Sequence, residues 1–218
     1  MRISVIMPVC LTPYETVPEP NTDQFVIKSA PDPERKFIRA VDSFCYQTFK
    51  DCELIIIADG SERAKEIYEQ YYKDIANIHF KLIPKQDHYS GVVRNTGLKM
   101  AKGEIICYLD HDDMFGNDHL KIISDNFNTY ALDWIYYDDY IADGEVVLPR
   151  EVQPIICMIG TSTISHRKKV KVKWGNKYGH DWYMIEKYLL PLEKRKKITI
   201  PLYYVCHNSN INVNPNRW

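Results

Sequence analysis

The stretch GEIICYLDHDDMFGND, Gly103–Asp118, decides the fold. Its apolar run Ile105–Leu109 reads as a buried strand that delivers the chain into Asp110, Asp112 and Asp113, with His111 between. Three similar runs precede it. ISVIMPV (Ile3–Val9) reads as a first strand stopped at Pro8. ELIIIADGS (Glu53–Ser61) reads as a second, ended by Asp59-Gly60 with Ser61 as helix N-cap, and IHFKLI as a third. Helical patterns separate them. Phe37, Val41, Phe44 and Cys45 share one face from Glu34 onward, Ala64, Ile67, Tyr68 and Tyr71 mark a second helix, and Ser90 to Ala101 a third. Strands alternating with helices of this length imply βαβ units and a mostly parallel α/β sheet covered on both faces. In such sheets ligands bind outside the carboxyl ends of the strands, so Asp59 and the Asp110–Asp113 cluster are expected to converge on one crevice.

Elsewhere the pattern is less regular. Leu11 to Pro33 is Pro-rich and nonperiodic, too long for an ordinary βα connection, and reads as a functional or mobile loop. Beyond Asn117, an expected N-cap, a helix to about Tyr130 is followed by strand-like DWIYYDD and EVVL. A helix near His180–Leu190 and the run ITIPLYYVCH come last. No linker or repeat interrupts the chain, which predicts a single domain over 1–218 with unequal halves, about 1–115 and 116–218.

With 218 residues, 45% of them hydrophobic, the chain can bury one good core or two small ones. Its 28 basic and 29 acidic residues are unevenly placed. Residues 167–197 hold eleven Lys/Arg against Asp181, Glu186 and Glu193, a net charge of +8, whereas 1–166 stand at −10. An acidic front and a basic back suggest an anionic partner for the second part, although a solvated basic face is the plainer reading. The six cysteines are scattered without a C-x-x-C, as expected of buried thiols in a reducing compartment. No signal-peptide pattern opens the sequence and no apolar run approaches the ~20 residues of a membrane span, so a soluble cytoplasmic protein is expected.

Two or three carboxylates within four residues repel one another, and a buried strand ending there calls for a cation. A hard divalent ion with oxygen ligands, Mg²⁺ or Mn²⁺, fits that chemistry and would neutralise charge on a departing diphosphate. An isolated D-x-D-D is more often a solvated turn; its place at a strand end, with Asp59 at another, favours function. The first βα turn, SVIMPVCLTP, has no glycine, and no G-x-x-x-x-G-K-[ST] occurs, which argues against dinucleotide and P-loop enzymes.

Taken in order, ISVIMPV, FIRAVDSFCYQTFKDCELIIIADGS, GVVRNTGLKMAKGEIICYLDHDD and GHDW resemble family 2 glycosyltransferases of the GT-A fold, closely over about 1–120 and loosely thereafter. The resemblance implies a Rossmann-like nucleotide half and a smaller acceptor half. It implies an inverting, metal-dependent transfer from a nucleotide sugar, most commonly a UDP-sugar. Position by position, it makes Asp59 the contact to the nucleotide base, with Pro8 and Val9 lining the same pocket. Arg94 lies near the nucleotide, Asp110 faces the ribose or donor sugar, and Asp112 is the direct metal ligand with Asp113 behind it. Asp181 in GHDW is then the general base that takes a proton from the acceptor hydroxyl, and His207 in LYYVCHNSN reaches the metal or diphosphate.

There are departures. Ala58 stands where the family commonly has a carboxylate, and His180 where it often has an acidic residue. The terminal NPNRW resembles the Q-x-x-R-W of processive synthases with Asn214 in place of Gln, which favours a single addition. The acceptor is expected to be a glycan or lipid-linked glycan, with peripheral contact to an anionic surface through Arg167–Lys173 and Lys194–Lys197. Three alternatives remain: a phage-type enzyme modifying hydroxymethylated bases in DNA, a non-catalytic nucleotide- or glycan-binding module, and a nucleotidyltransferase. The last is disfavoured because PVCLTP lacks a glycine-rich basic loop.

Overall fold

Every residue of Ile3–Val9 (β1) and Cys52–Asp59 (β2) is buried, the signature of strands covered on both faces. The computed structural model describes residues 1–11, 32–86, 89–143 and 146–206. β1 pairs in parallel with β2 and with β4 (Ile105–Tyr108), and β2 with β3 (Ile78–Ile83). The connections are helical: α1 (Pro33–Cys45), α2 (Glu62–Tyr71) and α3 (Gly91–Met100). Alternate residues of β2 face opposite cores. Leu54 and Ile56 meet Phe37, Val41 and Phe44 of α1, while Ile55 and Ile57 belong with Val93 of α3 and with Trp134 and Trp174.

The second half extends the same sheet. It supplies β5 (Met114–Phe115), α4 (His119–Thr129), β6 (Trp134–Tyr137), β7 (Asp139–Asp143), β8 (Val146–Arg150) and β9 (Ile164–Arg167). α5 (His180–Met184), β10 (Arg195–Ile198) and β11 (Tyr203–Cys206) follow. The seven-stranded order is β10-β6-β9-β4-β1-β2-β3, with β9 antiparallel to both its neighbours; a smaller sheet runs β5-β11-β7-β8. The fold is α/β with a mostly parallel central sheet flanked by helices, as expected.

Some local expectations are corrected. Pro8 does not stop β1. Ile6 accepts from Leu109 N–H (3.1 Å), so residues 6 and 8 aim their backbone groups at the β4 side, where the ladder has already ended. The N–H that proline lacks therefore costs no sheet bond. On α2 it is Tyr72, not Tyr71, that turns inward: Tyr72 donates to Asp42 Oδ1 at 2.9 Å, and Tyr71 is exposed. Asp118 rather than Asn117 caps α4, and α5 continues as a π-helical turn over Ile185–Leu189. The expected 11–33 loop lies outside the described residues except at its ends; its last residue, Pro33, opens α1 behind an Asp32 cap that accepts from Arg35 N–H (2.9 Å). The NPNRW terminus lies outside them as well.

At the amino ends of the strands one carboxylate knits the sheet together. Glu53 is fully buried and accepts from Ser4 Oγ (2.6 Å) and Lys102 N–H (2.7 Å), with Arg2 and His79 beside it. Ser4 Oγ accepts in turn from Gly103 N–H (2.7 Å). A Cβ on Gly103 would lie 2.6 Å from Ser4 N, so only glycine lets β4 enter here. Burial pushes the Glu53 pKa up, but these donors outweigh it and hold it below the usual 4.5. A depressed folded-state pKa stabilises the fold above the ordinary glutamate value, and that stability is lost as pH falls through the folded value. Glu53→Ala is expected to lower unfolding free energy at neutral pH by about 1.5–3 kcal/mol. It should also flatten the acid limb of stability against pH, both read by urea denaturation.

Candidate active site

The opposite, carboxyl ends of the strands gather the singled-out residues. Pro8 and Val9 end β1, paired with Ile57 and Ala58 of β2. Asp59 follows, its Oδ2 accepting from Lys85 Nζ (2.8 Å) and its Oδ1 from Gln86 N–H (2.6 Å). Both of its oxygens are thus engaged by the segment after β3, which fixes the carboxylate at the edge of the crevice.

β4 delivers the central loop. Asp113 N–H closes back on Asp110 C=O (3.2 Å) in a tight turn. Asp113 points inward, its carboxylate accepting from Tyr203 O–H (2.9 Å) and Cys206 N–H (2.8 Å), while Tyr203 Oη accepts from Asp110 N–H (3.0 Å). β11 therefore clamps the turn from below. Burial, with Asp112 and Asp110 adding to it, raises the Asp113 pKa well above the usual range. Arg39 of α1 donates to Asp112 C=O (2.7 Å), fixing its backbone. Among the described residues the Asp112 carboxylate itself has no hydrogen-bond or ion-pair partner.

Arg94 joins this turn to the second half. Its side chain is 6% exposed; Nη2 donates to Asp110 Oδ1 (2.7 Å), Nη1 faces His180 Nε2 (2.9 Å) and also bonds Ser90 Oγ, and its guanidinium lies 5.0 Å from the Trp174 ring centre. His180 Nδ1 lies 3.2 Å from Lys177 C=O, which can only accept, so Nδ1 donates to it. Nε2 is also 2.8 Å from Asp181 Oδ1. One nitrogen cannot accept from the guanidinium and donate to the carboxylate together, so Arg94 and Asp181 compete for His180 Nε2. Burial favours a raised Asp181 pKa, but His180 and Arg94 outweigh it and hold it below the usual 3.8, so Asp181 is ionised at neutral pH. Asp110 is moved the other way by burial and by the charges of Asp112 and Asp181, with Arg94 opposing. Asp110, Asp112 and Asp181 thus share one concentration of negative potential.

Carboxylate oxygens with spare acceptor capacity suit a hard divalent ion. Among the described residues no group of three or more His, Cys, Asp or Glu closes around one point. His207, the expected second ligand, lies outside the described residues. Arg39, Ser90, Lys85 and Tyr203 were not foreseen. Each acts across a large separation in sequence or from an ordinary loop position, and no local pattern marks it.

The basic segment is not one patch. Arg167 turns inward to Leu132 C=O (2.7 Å) and Phe127 C=O (3.0 Å), Lys168 bonds Ala101 C=O, and Lys169 pairs with Asp133 (2.8 Å). Lys196 donates to Asn126 (2.8 Å), and Lys197 pairs with Asp138 and Glu151. Lys171, Lys173 and Lys177 are exposed and have no ion-pair partner among the described residues.

Comparison with known proteins places the chain among sugar transferases. The sequence profile described as Glycosyl transferase family 2 matches residues 34–184. The poly(ribitol-phosphate) beta-N-acetylglucosaminyltransferase TarP of Staphylococcus aureus (strain N315) is 38% identical over 95 residues, 43% of this chain and 28% of TarP. The crystal structure of S. aureus TarS 1–349 shares the fold, with a TM-score of 0.74 at 19% identity over 94% of this chain and 60% of that one, and was also solved with UDP-GlcNAc. A mannosyltransferase from Pyrobaculum calidifontis, in complex with GDP-Man and Mn²⁺, matches with a TM-score of 0.61 at 12% identity, over 92% of this chain and 55% of that one. The match therefore spans between 28% and 60% of these relatives' own lengths.

The clamp beneath the turn is open to direct measurement. Tyr203→Phe removes the donor to Asp113 and the acceptor of Asp110 N–H, both buried. The variant is expected to lose about 1–3 kcal/mol of unfolding free energy in urea denaturation.

Proposed function

The chain belongs to glycosyltransferase family 2, and from that premise we propose that it transfers a sugar from a nucleotide-sugar donor to an acceptor hydroxyl, inverting the anomeric carbon. One observation carries this reading: Asp181, held ionised by His180 and Arg94, lies near enough to Asp110 for their charges to act on each other beside the Asp110–Asp112 turn. In the proposal Asp59, Pro8 and Val9 seat the nucleotide base, and Arg94 and Asp110 hold the ribose and donor sugar. A divalent ion, Mn²⁺ or Mg²⁺, held by Asp112 with His207 would supply positive charge beside the diphosphate. The Asp181 carboxylate takes the proton of the acceptor hydroxyl as the hydroxyl oxygen attacks the anomeric carbon from the side opposite the nucleotide. Arg94 and His180 beside Asp181 hold it ionised, and so able to receive that proton. Residues 1–115 form the donor half and 116–218 the acceptor half.

TarS binding UDP-GlcNAc supports a UDP-sugar donor, although the Pyrobaculum enzyme with GDP-Man shows that this fold admits another nucleotide. The six free thiols fit a cytoplasmic setting, and no helix among the described residues is long and apolar enough to cross a membrane.

Two measurements test the reading. UDP with Mn²⁺, supplied about a hundredfold above its Kd, is expected to raise the melting temperature by about 5–10 °C. Asp112→Ala should abolish the metal-dependent part of that shift; an undiminished shift would remove Asp112 from the metal site. Asp181→Asn should retain the shift and lose about 10²–10⁴-fold in transfer rate. Wild type that binds nucleotide yet turns over no nucleotide sugar would instead be a binding module.

A further inference from the structure

His180 stands between two charged groups of opposite sign at the candidate site. Its backbone N–H (3.1 Å) and its ring Nδ1 (3.2 Å) both meet Lys177 C=O, which fixes the ring and leaves Nε2 for other partners. The imidazole lies against the Trp174 and Tyr89 rings, each with its centre 5.9 Å away, and the side chain is 14% exposed. Among the described residues the polar partners of Nε2 are Arg94 Nη1 at 2.9 Å, Asp181 Oδ1 at 2.8 Å and Ser90 Oγ at 3.4 Å. Asp110 takes the other edge of the Arg94 guanidinium.

Two of those partners demand opposite states of the nitrogen. A guanidinium can only donate, so it bonds Nε2 only when that atom is bare. An ionised carboxylate can only accept, so it bonds Nε2 only when that atom carries a proton. The arrival of one proton at Nε2 therefore moves His180 from Arg94 to Asp181. Asp181 alone is poorly matched to the work of a base. Burial would raise its carboxyl pKa, but His180 and Arg94 outweigh that and hold it below the usual 3.8. A general base works best when its pKa lies near the operating pH, and an imidazole is the side chain that takes up and returns a proton in that range.

We infer that His180 is a proton relay for the transfer: the proton of the acceptor passes through Asp181 to His180 Nε2. As the acceptor oxygen bonds the anomeric carbon, the bond from that carbon to the terminal phosphate oxygen breaks. Its electron pair leaves with the nucleoside diphosphate. The hydroxyl proton goes to the Asp181 carboxylate and on across the 2.8 Å contact to Nε2. The step thus ends with a carboxylate beside an imidazolium, each stabilising the other's charge, in place of a lone protonated acid. Arg94, by bonding the bare nitrogen, keeps that place open beforehand. The imidazolium returns its proton to solvent after the products leave. This role rests on Asp181 being the base of the reaction; the sharing of one proton between Asp181 and His180 does not.

A spectroscopic and a kinetic measurement on the full chain test this. Nitrogen NMR of the imidazoles, with the His180 ring assigned through its loss in His180→Gln, follows protonation of Nε2 against pH. Asp181→Asn removes the carboxylate and is expected to make Nε2 at least tenfold harder to protonate. An Nε2 indifferent to that change overturns the inference. For turnover, release of UDP from UDP-GlcNAc, the sugar nucleotide that TarS binds, is followed with Mn²⁺ and with water as acceptor. Wild-type kcat is expected to fall on the acid side where imidazoles ordinarily titrate, about pH 6–7, because Nε2 is then already filled. His180→Gln offers an amide that hydrogen-bonds but takes no proton. It should lose roughly tenfold to a hundredfold in kcat at neutral pH, with that acid limb gone and KM for the donor unchanged. A melting temperature near that of wild type certifies its fold. A lowered kcat that keeps the wild-type pH profile is a structural effect and overturns the inference, as does a wild-type kcat that stays flat through that range. Full turnover by Asp181→Asn defeats the assignment of the base and this role with it. Wild type that turns over no nucleotide sugar defeats the transfer reading, and the NMR titration still decides whether the two residues share a proton.

Discussion

Arg94 carries the arrangement on which the site depends. A guanidinium this buried is tolerated only where its charge is answered, and here Asp110 answers it on one edge while the Trp174 ring lies against its face. Its other edge meets His180 Nε2 at 2.9 Å. One side chain from α3 thereby links the loop after β4 to the helix that presents Asp181. The backbone reinforces the link: a Cβ on Gly91 would collide with Gly175 C=O at 1.8 Å, so the start of α3 lies directly on the segment between Trp174 and α5. Asn95 adds two bonds to Trp174, donating to its carbonyl (2.9 Å) and accepting from its N–H (3.0 Å). The two halves are held in register by groups that also set the charge of the crevice.

The parts legible in the sequence were those whose signal is local. β1, β2 and β4 announce themselves as largely apolar runs because both faces are covered, and edge strand β3 by its alternating Ile78, Phe80 and Leu82; the rule that ligands sit at strand carboxyl ends then brings Asp59, Asp110 and Asp112 together. β9 was missed for a physical reason. Its buried centre is Ser165-His166, and these polar groups are satisfied across the sheet: Ser165 by Cys107 Sγ (3.2 Å) and His166 Nε2 by Tyr108 O–H (2.8 Å). Burial holds the His166 imidazole neutral, its pKa pushed down to about 4. A strand whose interior is polar but paired carries no hydrophobic period. Asp113 is the converse: identical in type to its neighbours, it becomes structural only through Tyr203 and Cys206, ninety residues away, which no motif discloses.

The two ends of the parallel sheet treat negative charge in opposite ways, and that contrast locates function better than any single motif. At the amino end Glu53 is fully buried yet surrounded by donors from Ser4, Lys102 and Arg2, so its charge stabilises the fold and has no capacity left for chemistry. At the carboxyl end Asp112 is pinned only through its carbonyl, and Asp181 is held ionised with its side chain 37% exposed. Leaving acceptors unsatisfied beside a buried carboxylate raises the folded-state energy, and a chain that satisfies charge so fully at one end does not lack the means to do so at the other. The deficit is local, confined to the carboxyl ends of the strands. It is the arrangement expected where the missing partners, a cation and a hydroxyl, arrive with the substrates.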